Sequence, residues 1–128
     1  MSLNTIIVGL DPYLLDFSSE EYAAMPGLTA EKVMAGTRAS IASLEAHGYS
    51  AGFCFTDLGE TAEDMLRERL QAQRFDIVII GAGLRVPPSR LLLFERLLNV
   101  IHRYAPDARI CFNTNPGDTL EAVQRWSS

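Results

Sequence analysis

Three observations predict an α/β fold in which a four-stranded parallel sheet is covered by helices on both faces. Apolar, β-branched runs alternate along the chain with stretches of helical period, a βαβαβαβα pattern that builds a parallel sheet through right-handed crossovers. The run Ile77-Val78-Ile79-Ile80 has no polar alternation, so it reads as a strand buried on both faces. Every strand-like run also breaks into turn-forming residues: Asp11-Pro12, Asp57-Leu58-Gly59, Gly81-Ala82-Gly83 and Asn113-Thr114-Asn115.

The first strand is Asn4 to Leu10, ended by Asp11-Pro12. The connection from Asp11 to Leu28 exceeds the roughly 2–6 residues usual in a βα unit. Tyr13, Leu14, Leu15, Phe17, Tyr22 and Met25 are spread through it, so it must pack on something. A flap over the carboxyl edge of the sheet, with a short helical turn within Ser19 to Met25, is the expectation. Thr29 then caps a helix to about His47, stopped by Gly48 in a left-handed conformation. Ala30, Met34, Thr37, Ile41 and Leu44 make its core stripe. Its other side carries Ala35, Ala39, Ala42 and Ala46, where Lys or Glu would be ordinary. Helix propensity explains such a row; so does close approach of another helix, including one from a second copy, and a homodimer is expected on that ground.

Tyr49 to Thr56 is the second strand. Thr61 with Asp64 looks like a capping box opening a helix to about Gln73. After the strand Asp76 to Ile80, a helix begins past Pro87-Pro88 and runs to about Tyr104. Leu93, Phe94, Leu97, Leu98, Val100, Ile101 and Tyr104 form its broad apolar face. Ala108 to Phe112 is the fourth strand. Asp118, with Glu121 at the third position, caps a last short helix that carries Leu120, Val123 and Trp126 inward.

The resulting expectation is one domain over residues 1–128, with a flap at 11–28. It is a three-layer, doubly wound sheet in the order 2-1-3-4, flavodoxin-like or minimal Rossmann-like. A chain of 128 residues can bury such a core without disulfides or metal. Apolar residues at 48% and charged ones at 21% speak against disorder. The net charge of −5 argues against a nucleic-acid partner, which favours a basic face. No apolar run approaches the ~20 residues that span a bilayer. The start MSLNTIIVGLD has no basic n-region or cleavage site and reads as a strand rather than a signal peptide. A cytoplasmic location is expected. Cys54 and Cys111 lie in apolar strands at opposite edges of the expected sheet, so they read as buried thiols that cannot bridge.

In an open sheet the ligand crevice lies outside the carboxyl ends of the strands, where the order reverses between strands 1 and 3. There Asp11 and Gly81 are expected to face each other, flanked by Asp57 and Asn113. Arg85 and Arg90 are the cations closest to these exits. Gly81, Gly83, Arg85 and Arg90 would hold an anion such as phosphate or carboxylate. Asp11, Asn113 and Asn115 would hydrogen-bond its polar part. The glycines read equally well as a tight strand-to-helix turn needing positive φ. Asp11 and Asp57, with Glu60 or Asp16, are the weaker candidates for acid/base chemistry or a shared cation; no metal site is expected, and no cofactor is identifiable.

Several chemistries are disfavoured by pattern. Val86 stands where the dinucleotide fingerprint has its third glycine, and the turn follows the third strand rather than the first. The one lysine, Lys32, leaves no P-loop and no lysine nucleophile at the crevice. Ser89 and His102 lie roughly 20 Å apart along one helix and cannot pair. The acids also miss the receiver pattern of two-component signalling, since the third strand ends in Gly81 rather than an aspartate.

The segments GLTAEKVMAGTRAS, TDLGETAE, VIIGAGLRVPPSRLLLFERLLNVIH and ICFNTNPGDTLEAVQRW together resemble a family of small, uncharacterised bacterial proteins. The resemblance spans most of the chain and implies a stand-alone soluble α/β domain, with no activity attached. The function expected is binding of a small anionic metabolite or nucleotide at the carboxyl edge of the sheet. Two alternatives stay open: a hydrolase or transferase using Asp11 as base or metal ligand, and a regulatory protein-interaction module.

Overall fold

The computed structural model describes residues 3–127. Its sheet is built from β1 (Asn4–Leu10), β2 (Ser50–Thr56), β3 (Ile77–Ile80) and β4 (Arg109–Phe112). The four strands are all parallel, in the order β2-β1-β3-β4, as the sequence predicts. Ile77, Val78, Ile79 and Ile80 are each no more than 1% exposed, so β3 is the central spine. Burying an aliphatic side chain of this size contributes about 1.5–3 kcal/mol, which no other four-residue stretch here matches in density.

Alternation along the strands splits the core in two. Ile6, Val8, Leu10, Val78 and Ile80 point to one face and pack under α2 (Ala62–Ala72) and α4 (Leu91–Tyr104). Ile7, Ile77, Ile79 and Cys111 point to the other and meet Leu44 of α1 (Ala30–Ala46) and Val123 of α5 (Thr119–Arg125). The Thr29 hydroxyl accepts from Lys32 N at 3.2 Å, and Gly48 has φ +91°, so α1 starts and stops where expected. Ala35, Ala39, Ala42 and Ala46 are all exposed, leaving the alanine row as an uncovered strip.

An arginine covers each open edge of the sheet. In β2 the odd-numbered peptide groups face away from β1, and Arg69 Nη1 donates to the outward carbonyl of Phe53 at 2.7 Å. In β4 the even-numbered ones face away from β3, and Arg125 Nη2 donates to Phe112 O at 3.2 Å. Charged side chains on an edge strand discourage pairing with another chain.

Several expected local devices are replaced by others. Thr61 makes no side-chain cap on α2; the Asp57 carboxylate instead accepts from Gly59 N, Thr61 N and Thr61 Oγ1 and closes that turn. Beyond β3 the chain forms a helical turn α3 (Ala82–Arg85) before the prolines, then a 3-10 turn at Pro88–Arg90 that leads into α4. A 3-10 turn at Pro116–Asp118 likewise precedes α5, closed by a capping box between Asn115 and Asp118. Asp118 itself gives α5 no side-chain cap. Trp126 is 49% exposed rather than inward, because α5 ends at Arg125 and the helical phase that would bury it stops there.

The flap contains two 3-10 turns, Pro12–Leu14 and Glu20–Tyr22. Tyr22 is buried and packs against Phe17 in a tilted arrangement, 4.9 Å between ring centroids, while Leu15 packs on the core beneath. No helix of the described residues is long and apolar enough to cross a membrane.

Candidate functional site

The four strand exits gather at one edge, and the backbone groups they leave unpaired have to find partners. Asp11 N donates to Thr56 O at 2.9 Å, and the Asp11 carboxylate accepts from Tyr13 N at 3.0 Å, capping the first turn of the flap. Gly81 N donates to Val8 O at 2.9 Å. Gly81 thus lies alongside β1, while Asp11 turns toward β2, so the two do not oppose each other as expected. Asp57 is held below its usual 3.8, first by the Thr61 hydroxyl and then by the amides of its own turn.

Neither glycine of Gly81-Ala82-Gly83 adopts positive φ; among the described residues only Gly27, Gly48 and Gly59 do. The turn needs no left-handed residue because Asn113 caps it from outside. Asn113, 6% exposed, accepts from Ala82 N through Oδ1 at 2.9 Å and donates through Nδ2 to Thr119 Oγ1 at 2.9 Å. A Cβ on Gly83 would meet nothing within 4 Å, and one on Gly81 would meet Val8 O at an ordinary 3.5 Å. The glycines therefore form no tight cradle in this conformation.

Asn113 is the hub of a longer chain of contacts. Thr119 Oγ1 donates to Pro116 O at 3.2 Å, and Ser40 Oγ on α1 reaches Pro116 O at 2.8 Å. Gly36 lies against Pro116, whose Cβ and Cγ would be 3.2 and 3.4 Å from an added Cβ, so a side chain there would require Pro116 to shift by a few tenths of an ångström. Arg85 Nη2 donates to Asn113 O at 2.9 Å, and its guanidinium lies 5.6 Å from the centre of the Phe112 ring. Asn115 serves its own turn by accepting from Gly117 N at 2.7 Å. The Asp118 carboxylate accepts from Thr114 N at 2.9 Å and from the Thr114 hydroxyl, which holds it below its usual 3.8.

Arg90 is engaged by the flap. Its Nη1 donates to both Glu21 carboxylate oxygens, at 2.9 and 3.0 Å, and its Nη2 to Tyr22 OH at 3.3 Å. The Ser89 hydroxyl donates to the same carboxylate, and that bond, followed by Arg90, holds Glu21 below its usual 4.5. The Arg90 side chain is 11% exposed and that of Glu21 26%. Sequence reading missed Glu21 because its partner lies 69 positions away and nothing local marks the pair. Arg85 Nε and Arg90 Nε are both buried without a hydrogen-bond partner, as is Thr56 Oγ1.

The arrangement thus brings Arg85 together with Asn113 and Ala82, and Arg90 together with Ser89 and the flap. Asp11, Asp57 and Asn115 stay with their own turns. Among the described residues no three His, Cys, Asp or Glu side chains converge as a metal-holding group. Burial pushes both free thiols up, Cys111 to about 11, so they stay protonated and unreactive at neutral pH. A groove of about 550 Å³ lies elsewhere, between α2 and α4, lined by Glu63, Arg67, Glu95, Arg96 and Arg103 among others.

Asn113→Leu removes both of its bridging bonds and strands the Ala82 amide. A loss of about 1–3 kcal/mol in urea denaturation is expected, with faster hydrogen exchange over 82–85. Glu21, Asp57 and Asp118 all titrate lower folded than unfolded, so their contributions are present above the unfolded values and vanish as pH falls through the folded ones. Acid titration followed by circular dichroism should therefore stay level down to the usual 4.5 and 3.8 and decline below them; a decline beginning at higher pH contradicts this assignment. No protein-family model matches this sequence, and neither does any curated protein.

Proposed function

We propose that this domain binds a small anionic ligand, a carboxylate- or phosphate-bearing metabolite or a nucleotide, at the carboxyl edge of the sheet beneath the flap. One observation carries the reading. Both arginines of that edge, Arg85 and Arg90, keep a buried Nε–H with no acceptor, while Arg90 already grips a carboxylate. A buried donor left unmade on a charged group is costly, and an incoming oxyanion would relieve that cost. Asp11 and Asp57 are engaged in capping, so nothing specific favours the hydrolase or transferase reading.

A second reading, a protein-interaction module, is favoured by apolar side chains exposed on the same connections: Tyr13 at 61%, Val86 at 62% and Leu91 at 57%. One experiment separates the two. Thermal-shift screening against an anionic metabolite panel should raise the melting temperature of the wild type; a ligand at ~100 times its Kd stabilises by about 2.7 kcal/mol. Arg85→Ala and Arg90→Ala should each blunt that response. Responses equal to wild type would remove the arginines from the site, and no response in any protein would leave the interaction reading.

Self-association belongs to the same proposal, supported by the exposed strip Ala35, Ala39, Ala42 and Ala46 on α1. Light scattering at high micromolar concentration should then give twice the 14.1 kDa chain mass; the single-chain mass would dismiss it. A bacterial, cytoplasmic setting belongs to the same proposal and rests on the sequence resemblance alone.

A further inference from the structure

We infer that Glu21 is an internal ligand: with the flap closed its carboxylate occupies the anion position made by Ser89 and Arg90, and a small anion enters by displacing it. The inference rests on the anion-binding reading above and concerns how that site is regulated.

The geometry of the contact is that of ligand recognition. One guanidinium nitrogen meets both carboxylate oxygens, the Ser89 hydroxyl meets one of them, and Ser89 Oγ is itself 2.8 Å from Arg90 Nη1. A carboxylate or phosphate offers the same pair of oxygens to the same donors. Arg90 is mostly enclosed, so the charge it faces matters more than at an open surface.

The element that supplies Glu21 is an irregular connection outside the sheet and its helices. Residues 11–28 hold no regular element longer than three residues, and Tyr13, Leu14 and Met25 stay exposed. The flap is held by buried Pro12, whose turn packs against α1, by Tyr22 and Leu15 in the core and by the Glu21 clamp, with Lys32 Nζ donating to Gly27 O at 2.7 Å at its far end. Few buried contacts and solvent-facing turns mark a segment that opens locally well before the domain unfolds. Glu21 on Arg90 and an external anion on Arg90 exclude each other, which gives the two states different affinities for that anion. The closed population then lowers the apparent affinity in proportion.

The test is a titration of wild type and Glu21→Gln with inorganic phosphate, and separately with acetate, at constant ionic strength, followed by amide chemical shifts. The amide side chain keeps the shape of Glu21 but not its charge. Glu21→Gln should bind at least one of the two anions about tenfold more tightly than wild type, with shifts over residues 82–91, and adding Arg90→Ala should abolish the gain. In the wild type, a saturating amount of that anion should speed hydrogen exchange over residues 20–25. That readout needs no variant and stands even if a substituted chain folds poorly. Equal affinity in wild type and Glu21→Gln, with shifts at 82–91, would overturn the internal-ligand role and leave the anion site intact. Exchange unchanged in a wild type saturated at 82–91 would overturn it as well. Absence of binding at 82–91 in both proteins would overturn the inference together with the reading beneath it.

Discussion

Burial of β3 on both faces is the constraint from which the remaining architecture follows. Ile77 and Ile79 need one layer of helices and Val78 and Ile80 another, and parallel neighbours place every connection across the sheet in the same sense. The consequence is geometric. All four strands deliver their carboxyl ends to one edge, where the ladder stops and backbone donors and acceptors lose their partners. Whatever polar side chains occupy those exits are first called on to satisfy the backbone.

That demand explains why so many of the polar residues at the edge are engaged locally. Asp11 caps the flap, Asp57 closes the turn into α2, and Asp118 with Asn115 closes the turn into α5. Asn113 does more, because it is buried and its two ends reach different elements. Through Ala82 and Thr119 it ties the β3 exit to α5, and Ser40 and Pro116 extend the tie to α1 in the same layer. A buried amide with both ends satisfied holds the β3 exit and α5 in one arrangement. The chemistry left over lies in the two guanidinium groups, each of which retains a buried donor. Arg90 is the more informative of the two, since its partner Glu21 comes from the flap and not from the sheet.

Much of this was legible in the chain. The unbroken Ile77–Ile80 run, the capping threonine at Thr29 and the glycine at Gly48 act through neighbours within a few residues, and such local physics is written in order along the sequence. The order 2-1-3-4 was legible too, because handedness and alternation leave few other ways to connect four parallel strands. Reading failed where two devices of similar local appearance compete. Thr61 and Asp64 spell a capping box, yet Asp57 reaches the same amide from four residues upstream. Gly81-Ala82-Gly83 suggests a left-handed turn, yet a side chain 31 positions away makes an ordinary backbone sufficient.

By itself, then, the sequence determined the alternation of strands and helices, the two-sided core and the edge where the exits meet, all consequences of short-range periodicity and chain connectivity. Tertiary structure alone decided which polar group meets which. The pairing of Glu21 with Arg90, the bridge from Asn113 to Ala82 and the outward turn of Trp126 depend on segments brought together only by folding, or on where a helix happens to end. A hydrogen bond is chosen by distance and direction in space, and no spacing along the chain encodes either across such separations.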